Sequence, residues 1–104
     1  MLTVHELLTE LTDEARRVLA SKTTDEDILD ILAVDDSKFV RAAAIANPKA
    51  RETTVNEAVN DTEFIVRLTA AKSPKLTEEN IQILLNDEEN GIVNAAKANK
   101  KRKR

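Results

Sequence analysis

The sequence is most informative in the residue types that it has little of. It contains no cysteine, one glycine, and two phenylalanines as its only aromatic residues. The absence of cysteine excludes disulfides, thiolate metal sites and a cysteine nucleophile. A single glycine, Gly91, excludes the glycine-rich loops that wrap phosphates, because these loops need several permissive backbone positions. These absences favour a binding protein over an enzyme.

Length and composition predict one globular domain. The chain has 104 residues, of which 41% are hydrophobic and 34% charged, and this balance fits neither a disordered nor a membrane-embedded chain. No apolar run approaches the roughly 18 to 20 residues that a membrane-spanning helix needs, and no N-terminal segment resembles a signal peptide. We therefore expect a cytoplasmic protein with no membrane partner.

The net charge of −3 hides an asymmetry between the body of the chain and its C-terminus. The last eight residues hold six basic side chains, whereas residues 1–96 hold 10 basic and 19 acidic ones. We expect the acidic body to repel nucleic acid phosphates. The basic C-terminus is expected to attract phosphates or any other acidic surface.

The sequence repeats itself with a step of 26 residues. The residues that recur at this step are Asp35, Asp61 and Asp87; Val40, Val66 and Ile92; Arg41 and Arg67; and Pro48 and Pro74. One step further back, residues 15–35 form a weaker copy. The predicted organisation is an N-terminal cap over 1–11, repeats over about 12–34, 35–60 and 61–86, a half-repeat over 87–99, and a disordered basic tail over 100–104.

Each unit reads as two short helices. The first helix, around 36–46 and 62–72, opens with an aspartate suited to N-capping and ends before a proline, which bars helical geometry from the residue preceding it. The second helix, around 51–60 and 77–86, carries apolar residues at positions i, i+3 and i+4. This predicted buried stripe comprises Leu29, Leu32 and Ala33; Val55, Ala58 and Val59; and Ile81, Leu84 and Leu85.

Further helices are predicted at the two ends. The first helices contribute a second apolar set, namely Phe39, Val40, Ala43 and Ala44, matched by Ile65, Val66, Thr69 and Ala70. Residues 3–11 combine a capping-box spacing at Thr3 and Glu6 with an apolar stripe of Val4, Leu7, Leu8 and Leu11. A last first helix is expected near 88–98, which gives eight helices and an all-α solenoid of stacked helix pairs.

The repeat resembles the leucine-rich repeat variant, a relative in shape of HEAT repeats. The residues that carry the resemblance are Asp35, Val40, Arg41, Ile45, Asn47 and Pro48, then Asp61, Val66, Arg67, Ala71, Ser73 and Pro74. Over residues 13–99 the resemblance implies a right-handed superhelix of alternating α and shorter, sometimes 3₁₀, helices. The step of 26 is longer than is usual in that family, so we expect fully α-helical second helices. A cysteine-ligated iron–sulfur cluster, known from that family, is excluded here.

Three sets of polar residues have a structural and a functional interpretation. Arg41 and Arg67 either bind acidic groups of a ligand or, as we favour, hold nearby aspartates such as Asp61 at the junction between units. The recurring glutamates either form a cation or basic-partner site or, as we favour, complement the dipoles of the second helices that they open. They are Glu26, Glu52 and Glu78. The only histidine, His5, is expected to face solvent.

Basic residues define the candidate binding site. Lysines 22, 49, 75, 100 and 101 fall in the turns between first and second helices, and aspartates and glutamates fall in the turns between units, so the two edges are expected to differ in charge. The structural alternative is that these charges only reflect the need of exposed turns for polar residues. The candidate partner-binding residues are Lys49, Lys75, Lys97, Lys100, Lys101, Arg102, Lys103 and Arg104.

The sequence thus predicts a non-catalytic, cofactor-free adaptor that binds another protein through its repeat surface. The alternative is a nucleic-acid-associated protein that uses the lysine-rich edge and the basic tail in weak, non-specific contacts. The acidic body disfavours this alternative, and no aromatic residues accompany the tail to stack on bases. We expect a monomer, or a weak dimer formed through Ile92 and Val93 of the C-terminal half-repeat.

Overall fold

The computed structural model describes residues 1–102, and this part of the chain is all-helical without a strand. The helices are α1 (Val4–Thr9), α2 (Asp13–Lys22), α3 (Glu26–Leu32), α4 (Lys38–Ala46), α5 (Glu52–Glu57), α6 (Phe64–Ala71), α7 (Glu78–Leu85) and α8 (Asn90–Arg102). Eight helices were predicted, and residues 1–102 contain eight α-helices. One difference is that α5 continues into a 3₁₀ turn over Ala58–Asn60, so not every second helix is fully α-helical.

From α2 onward, the helices form two sets that alternate along the chain. The first helices are α2, α4, α6 and α8, and each packs against the next one in this set. The second helices are α3, α5 and α7, which follow them in alternation. The described residues measure 47 × 23 × 17 Å along their principal axes, so the molecule is elongated. No helix among residues 1–102 combines the length and the apolar character needed to cross a membrane.

The buried stripe of the second helices is found where the sequence predicts it. Leu29, Leu32, Val55, Ile81 and Leu84 are at most 1% exposed. They form one continuous core with the buried residues Val40, Val66 and Ile92 of the first helices. Phe39 departs from the prediction, since its side chain is 52% exposed.

Helix caps explain where the elements begin, with one correction. Thr3 and Glu6 form the predicted capping box at the start of α1. The aspartates of the repeat do not cap the first helices directly. Asp35 instead lies two residues before the N-cap Ser37 and accepts a hydrogen bond from the Ser37 backbone N–H at 2.9 Å. Asp61 and Glu63 repeat this contact, which leaves the remaining carboxylate oxygen of each aspartate available for another partner.

The two ends of the molecule differ from expectation. Of the predicted apolar stripe of α1, only Leu8 is buried, whereas Val4 and Leu7 are each about half exposed. Ile92, the predicted dimer contact, is fully buried against the core and cannot meet a second chain. Val93 is half-buried.

The prediction of a disordered tail from residue 100 is wrong for Lys100, Lys101 and Arg102, which are helical. Helix α8 continues to Arg102 because Asn99 is anchored: its side-chain amide donates to the backbone oxygens of Ala71 at 2.9 Å and Ser73 at 2.8 Å. Asn99 is 1% exposed. Lys103 and Arg104 lie outside the described residues.

Candidate partner-binding site

The recurring arginines are structural rather than free. Arg41 forms a two-point ion pair with Asp61, with contacts of 2.9 and 3.1 Å, and also donates to the Asp35 backbone oxygen at 2.7 Å. Arg67 repeats these contacts with Asp87 and the Asp61 oxygen. The structural interpretation is therefore confirmed for both arginines, and neither guanidinium is open to a ligand.

Arg16 is a third member of this set that the sequence comparison missed. It pairs with Asp35 at 2.8 Å and donates to the Leu11 oxygen at 2.6 Å. Arg16 precedes its aspartate by 19 residues along the chain, whereas Arg41 and Arg67 each precede theirs by 20. A step of 26 back from Arg41 lands on Ala15, so this one-residue difference concealed the match.

The Arg67–Asp87 pair also fixes the charge of its carboxylate. Burial acts to raise the pKa of Asp87, but the Arg67 guanidinium, the Glu89 backbone N–H and the positive charge of Arg67 outweigh it and lower the pKa below its ordinary value of 3.8. Asp87 therefore stays ionised at neutral pH although its side chain is only 9% exposed.

The recurring glutamates occupy the first turns of their helices, as the dipole interpretation predicts. Glu26, Glu52 and Glu78 lie in the first turns of α3, α5 and α7. In residues 1–102 no group of three or more acidic, histidine or cysteine side chains is placed to hold a metal ion. His5 is exposed, as expected.

The candidate basic residues fall into an engaged and an open group. The Lys75 ammonium donates to the backbone oxygens of Pro48, at 2.7 Å, and Ala50, so it joins two units. The Arg102 guanidinium donates to the Lys72 oxygen at 3.2 Å. The open group consists of exposed lysines whose ammonium groups have no partner in the described chain, namely Lys22, Lys49, Lys72, Lys97, Lys100 and Lys101. Lys103 and Arg104 belong to the undescribed end.

All but one of the open lysines share one position in the fold. Except for Lys97, which lies within α8, each lies in the last turn of a first helix or just beyond it, where a positive charge complements the helix dipole. The second helices start at the same turns, so acidic residues such as Glu26 and Glu52 lie between the open lysines along this edge. The edge is consistently basic only around α8, whose last turns carry Lys97, Lys100 and Lys101.

A groove of about 520 Å³ opens between two of these turns. We call it the proline groove, and its defining residues are Ile45, Pro48, Val55, Thr69, Lys72 and Pro74. Its lining is mainly apolar. Helices α4 and α6 both end here, and the prolines that follow cannot extend them. Lys75 crosses from one turn to the other, and the open Lys72 stands at the rim.

Lys72 and the groove itself were not singled out from the sequence. The prolines at a 26-residue step placed the two turns, but repeat spacing alone gives no measure of the gap between them. Lys72 was overlooked because the equivalent residue of the previous unit is the apolar Ala46. Two further hollows, of about 470 and 250 Å³, lie among acidic residues near Asp61 and near Asp35, and neither contains an open cation.

No protein-family model matches the chain, and neither does any curated protein or solved structure.

Proposed function

We propose that the protein is a non-catalytic interaction module, a right-handed α-solenoid of 26-residue units that binds another protein in the proline groove. The arrangement of Arg16, Arg41 and Arg67 supports the repeat interpretation. Each arginine lies on a first helix and donates to a backbone oxygen of the junction before its own unit. It also pairs with the aspartate that follows the second helix of that unit, so the same contacts link one unit to the next. Modules of this kind present extended surfaces that suit macromolecular partners.

The chemistry of the groove specifies the partner. Its apolar walls suit one or two aliphatic or aromatic side chains, and burial of such anchors supplies most of the affinity of small interfaces. Lys72 at the rim and Lys49 beside Pro48 favour carboxylates next to the anchor. The occupant that fits is therefore an extended acidic segment with an apolar anchor. The observation that carries this proposal is an apolar groove with open cations in a body that is otherwise acidic.

The direct test uses a synthetic peptide with two leucines flanked by glutamates, titrated into isotopically labelled protein. We expect weak binding, with a Kd of roughly 10 to 1,000 μM, because the groove buries far less area than a standard interface. Amide shifts should be concentrated at residues 45–48 and 69–75. The same peptide with lysines in place of the glutamates is expected to bind at least about tenfold more weakly.

Two variants separate the groove from general electrostatics. Lys72→Glu should weaken binding of the acidic peptide by about five- to tenfold, because a rim cation becomes a repelling anion. Lys22→Glu changes the total charge equally, at an exposed residue of α2 that does not line the groove, and should alter binding by less than about twofold. The proposal fails if neither peptide shifts the groove residues at millimolar concentration, or if the two variants behave alike.

Nucleic acid binding is the second candidate, favoured by one feature of α8. Residues 90–104 contain six basic side chains and no acidic one. We expect weak duplex DNA binding without sequence preference, with a log affinity that falls by about three per log unit of salt if three or four phosphates are contacted. Lys97→Gln, Lys100→Gln and Lys101→Gln together remove three of these six basic side chains and should weaken the binding strongly while keeping the Asn99 anchor. Tight duplex binding that is lost with these substitutions would favour this candidate over the groove.

A further inference from the structure

Helix α1 occupies the position of a second helix. In the later units, Arg41 and Arg67 each donate to a backbone oxygen of the junction that follows a second helix, at 2.7 and 2.9 Å. Arg16 makes the same contact with Leu11 at 2.6 Å, in the junction that follows α1. Leu8 is the buried residue of α1. It lies three residues before Leu11, just as the buried Leu32 of α3 lies three residues before Asp35. Within residues 1–102, α1 is therefore placed as a second helix.

The remaining apolar residues of α1 and its flanks are exposed. The exposed fractions of Leu2, Val4, Leu7 and Leu11 are 50%, 50%, 51% and 39%. Val4 and Leu7 lie one turn apart on the same side of α1, Leu2 precedes the helix and Leu11 follows it. We call these four residues the α1 patch.

At the opposite end, α8 is a first helix with no second helix after it in the described chain. Ile45 and Ala71 are 3% and 0% exposed in the earlier units. Lys97 is the equivalent residue of α8, two and one repeat steps further on, and it is exposed. The surface of α8 that corresponds to a covered surface in α4 and α6 is therefore open.

The two ends are complementary in charge. Residues 1–14 contain four acidic residues, Glu6, Glu10, Asp13 and Glu14, and no lysine or arginine. Residues 90–104 contain six basic residues and no acidic one. Two copies of either end would repel each other, whereas the N-terminal end of one copy attracts the C-terminal end of another.

We infer that copies of this chain associate head to tail, with α1 of one copy packed beside α8 of the next copy. The α1 helix would then take the place of a second helix after α8, and the α1 patch would be covered. This inference does not depend on the proline groove or its partner. Because the two contacting surfaces differ, the contact leaves a free end on each copy and builds open chains rather than a closed dimer.

The association should be weak, since the patch comprises only a few side chains. In sedimentation equilibrium at low salt, the weight-average mass is expected to rise from 11.6 kDa toward multiples of it as the concentration increases from about 10 μM to about 1 mM. Raising the salt to about 0.5 M should shift this transition to at least about fivefold higher concentration, because the attraction between the ends is screened.

Variants that block one end at a time provide the decisive test. Leu7→Lys blocks the α1 patch, and Lys97→Glu with Lys101→Glu reverses the charge of α8; all three residues are exposed, so the fold should be retained. Each variant alone is expected to remain monomeric. An equimolar mixture should form a discrete dimer, since only one productive junction remains. Phe39→Lys, a matched change at an exposed residue of α4, should associate like the wild type.

Two outcomes would overturn the inference. One is a wild type that stays monomeric up to about 1 mM at low salt, a concentration at which even weak specific contacts are populated. The other is a mixture that behaves as the sum of its components, as it would if like ends paired or if the exposed patch has no partner within this chain. Thermal melting of each variant, with a midpoint close to that of the wild type, establishes that the variants are folded.

Discussion

Replacement of Arg67 by alanine is expected to lower the free energy of unfolding by about 2 to 4 kcal/mol. The substitution removes both contacts to Asp87 and the hydrogen bond to the Asp61 oxygen. It leaves the Asp87 carboxylate nearly buried without its counter-charge, and the cost of an unpaired charge exceeds that of the lost attraction. Urea denaturation monitored by circular dichroism measures the change, which is a large share of the stability of a small domain.

The pH dependence identifies the cause. In the wild type the pKa of Asp87 is lowered in the folded state, so its contribution to stability is present above pH 3.8 and is lost as pH falls through the folded-state pKa. Without Arg67, burial raises that pKa instead. The gap between wild type and variant should therefore be widest near pH 7 and shrink as pH falls, because the carboxyl group of the variant becomes neutral first and that of the wild type only below its lowered folded-state pKa.

Two further variants control this experiment. Arg17→Ala removes an ion pair with Glu14 whose partners are 50% and 69% exposed, and it should leave the free energy of unfolding nearly unchanged. Arg67→Met combined with Asp87→Asn removes both charges and should recover part of the loss. A loss that is equal at pH 7 and pH 3 would show that packing of the arginine stem, not the unpaired carboxylate, sets the cost.

The 26-residue step predicted the helices and most of the core, because one buried residue per helix turn must recur wherever equivalent helices pack. Leu29, Val55 and Ile81 are buried as expected. Periodicity identifies an apolar face but not the element that covers it. For that reason the exposure of Leu7 and Phe39 was not predicted, since neighbouring residues of the described chain cover only about half of each side chain.

The candidate site was predicted only in part. Position along the chain placed Lys49 and Lys75 at the correct turns, but it could not distinguish the open ammonium of Lys49 from that of Lys75, which binds two backbone oxygens. That difference depends on how closely two turns approach. Composition likewise predicted disorder from Lys100 onward, whereas the buried amide of Asn99 extends α8 to Arg102.

Asn47 is the other residue whose substitution should have a large effect. Its side-chain amide donates to the backbone oxygens of Ala20 and Thr23, both at 2.8 Å, and its side-chain oxygen accepts from the Lys49 backbone N–H. The donated bonds join α4 to the preceding unit, as those of Asn99 join α8 to its neighbour. Asn47 is 6% exposed, so these groups have little access to water.

Asn47→Asp is expected to cost about 3 to 4 kcal/mol, because it keeps the shape but places a carboxylate against two carbonyl oxygens. Asn47→Ser should cost about 1 to 2 kcal/mol. Serine retains the acceptor, as Ser73 shows at the equivalent position by accepting from the Lys75 backbone N–H at 3.1 Å. Asn94→Asp, at an exposed position of α8, is the matched control and should change stability by less than about 0.5 kcal/mol.

Denaturation at two pH values separates the contributions at this position. Near pH 3 the carboxyl group introduced at position 47 is largely neutral and can donate one hydrogen bond, so the loss in the aspartate variant should fall toward that of the serine variant. The serine variant should show no such recovery. A loss in the serine variant with little or no loss in the aspartate variant at pH 7 would mean that the donated hydrogen bonds contribute little and that side-chain volume alone joins these two units.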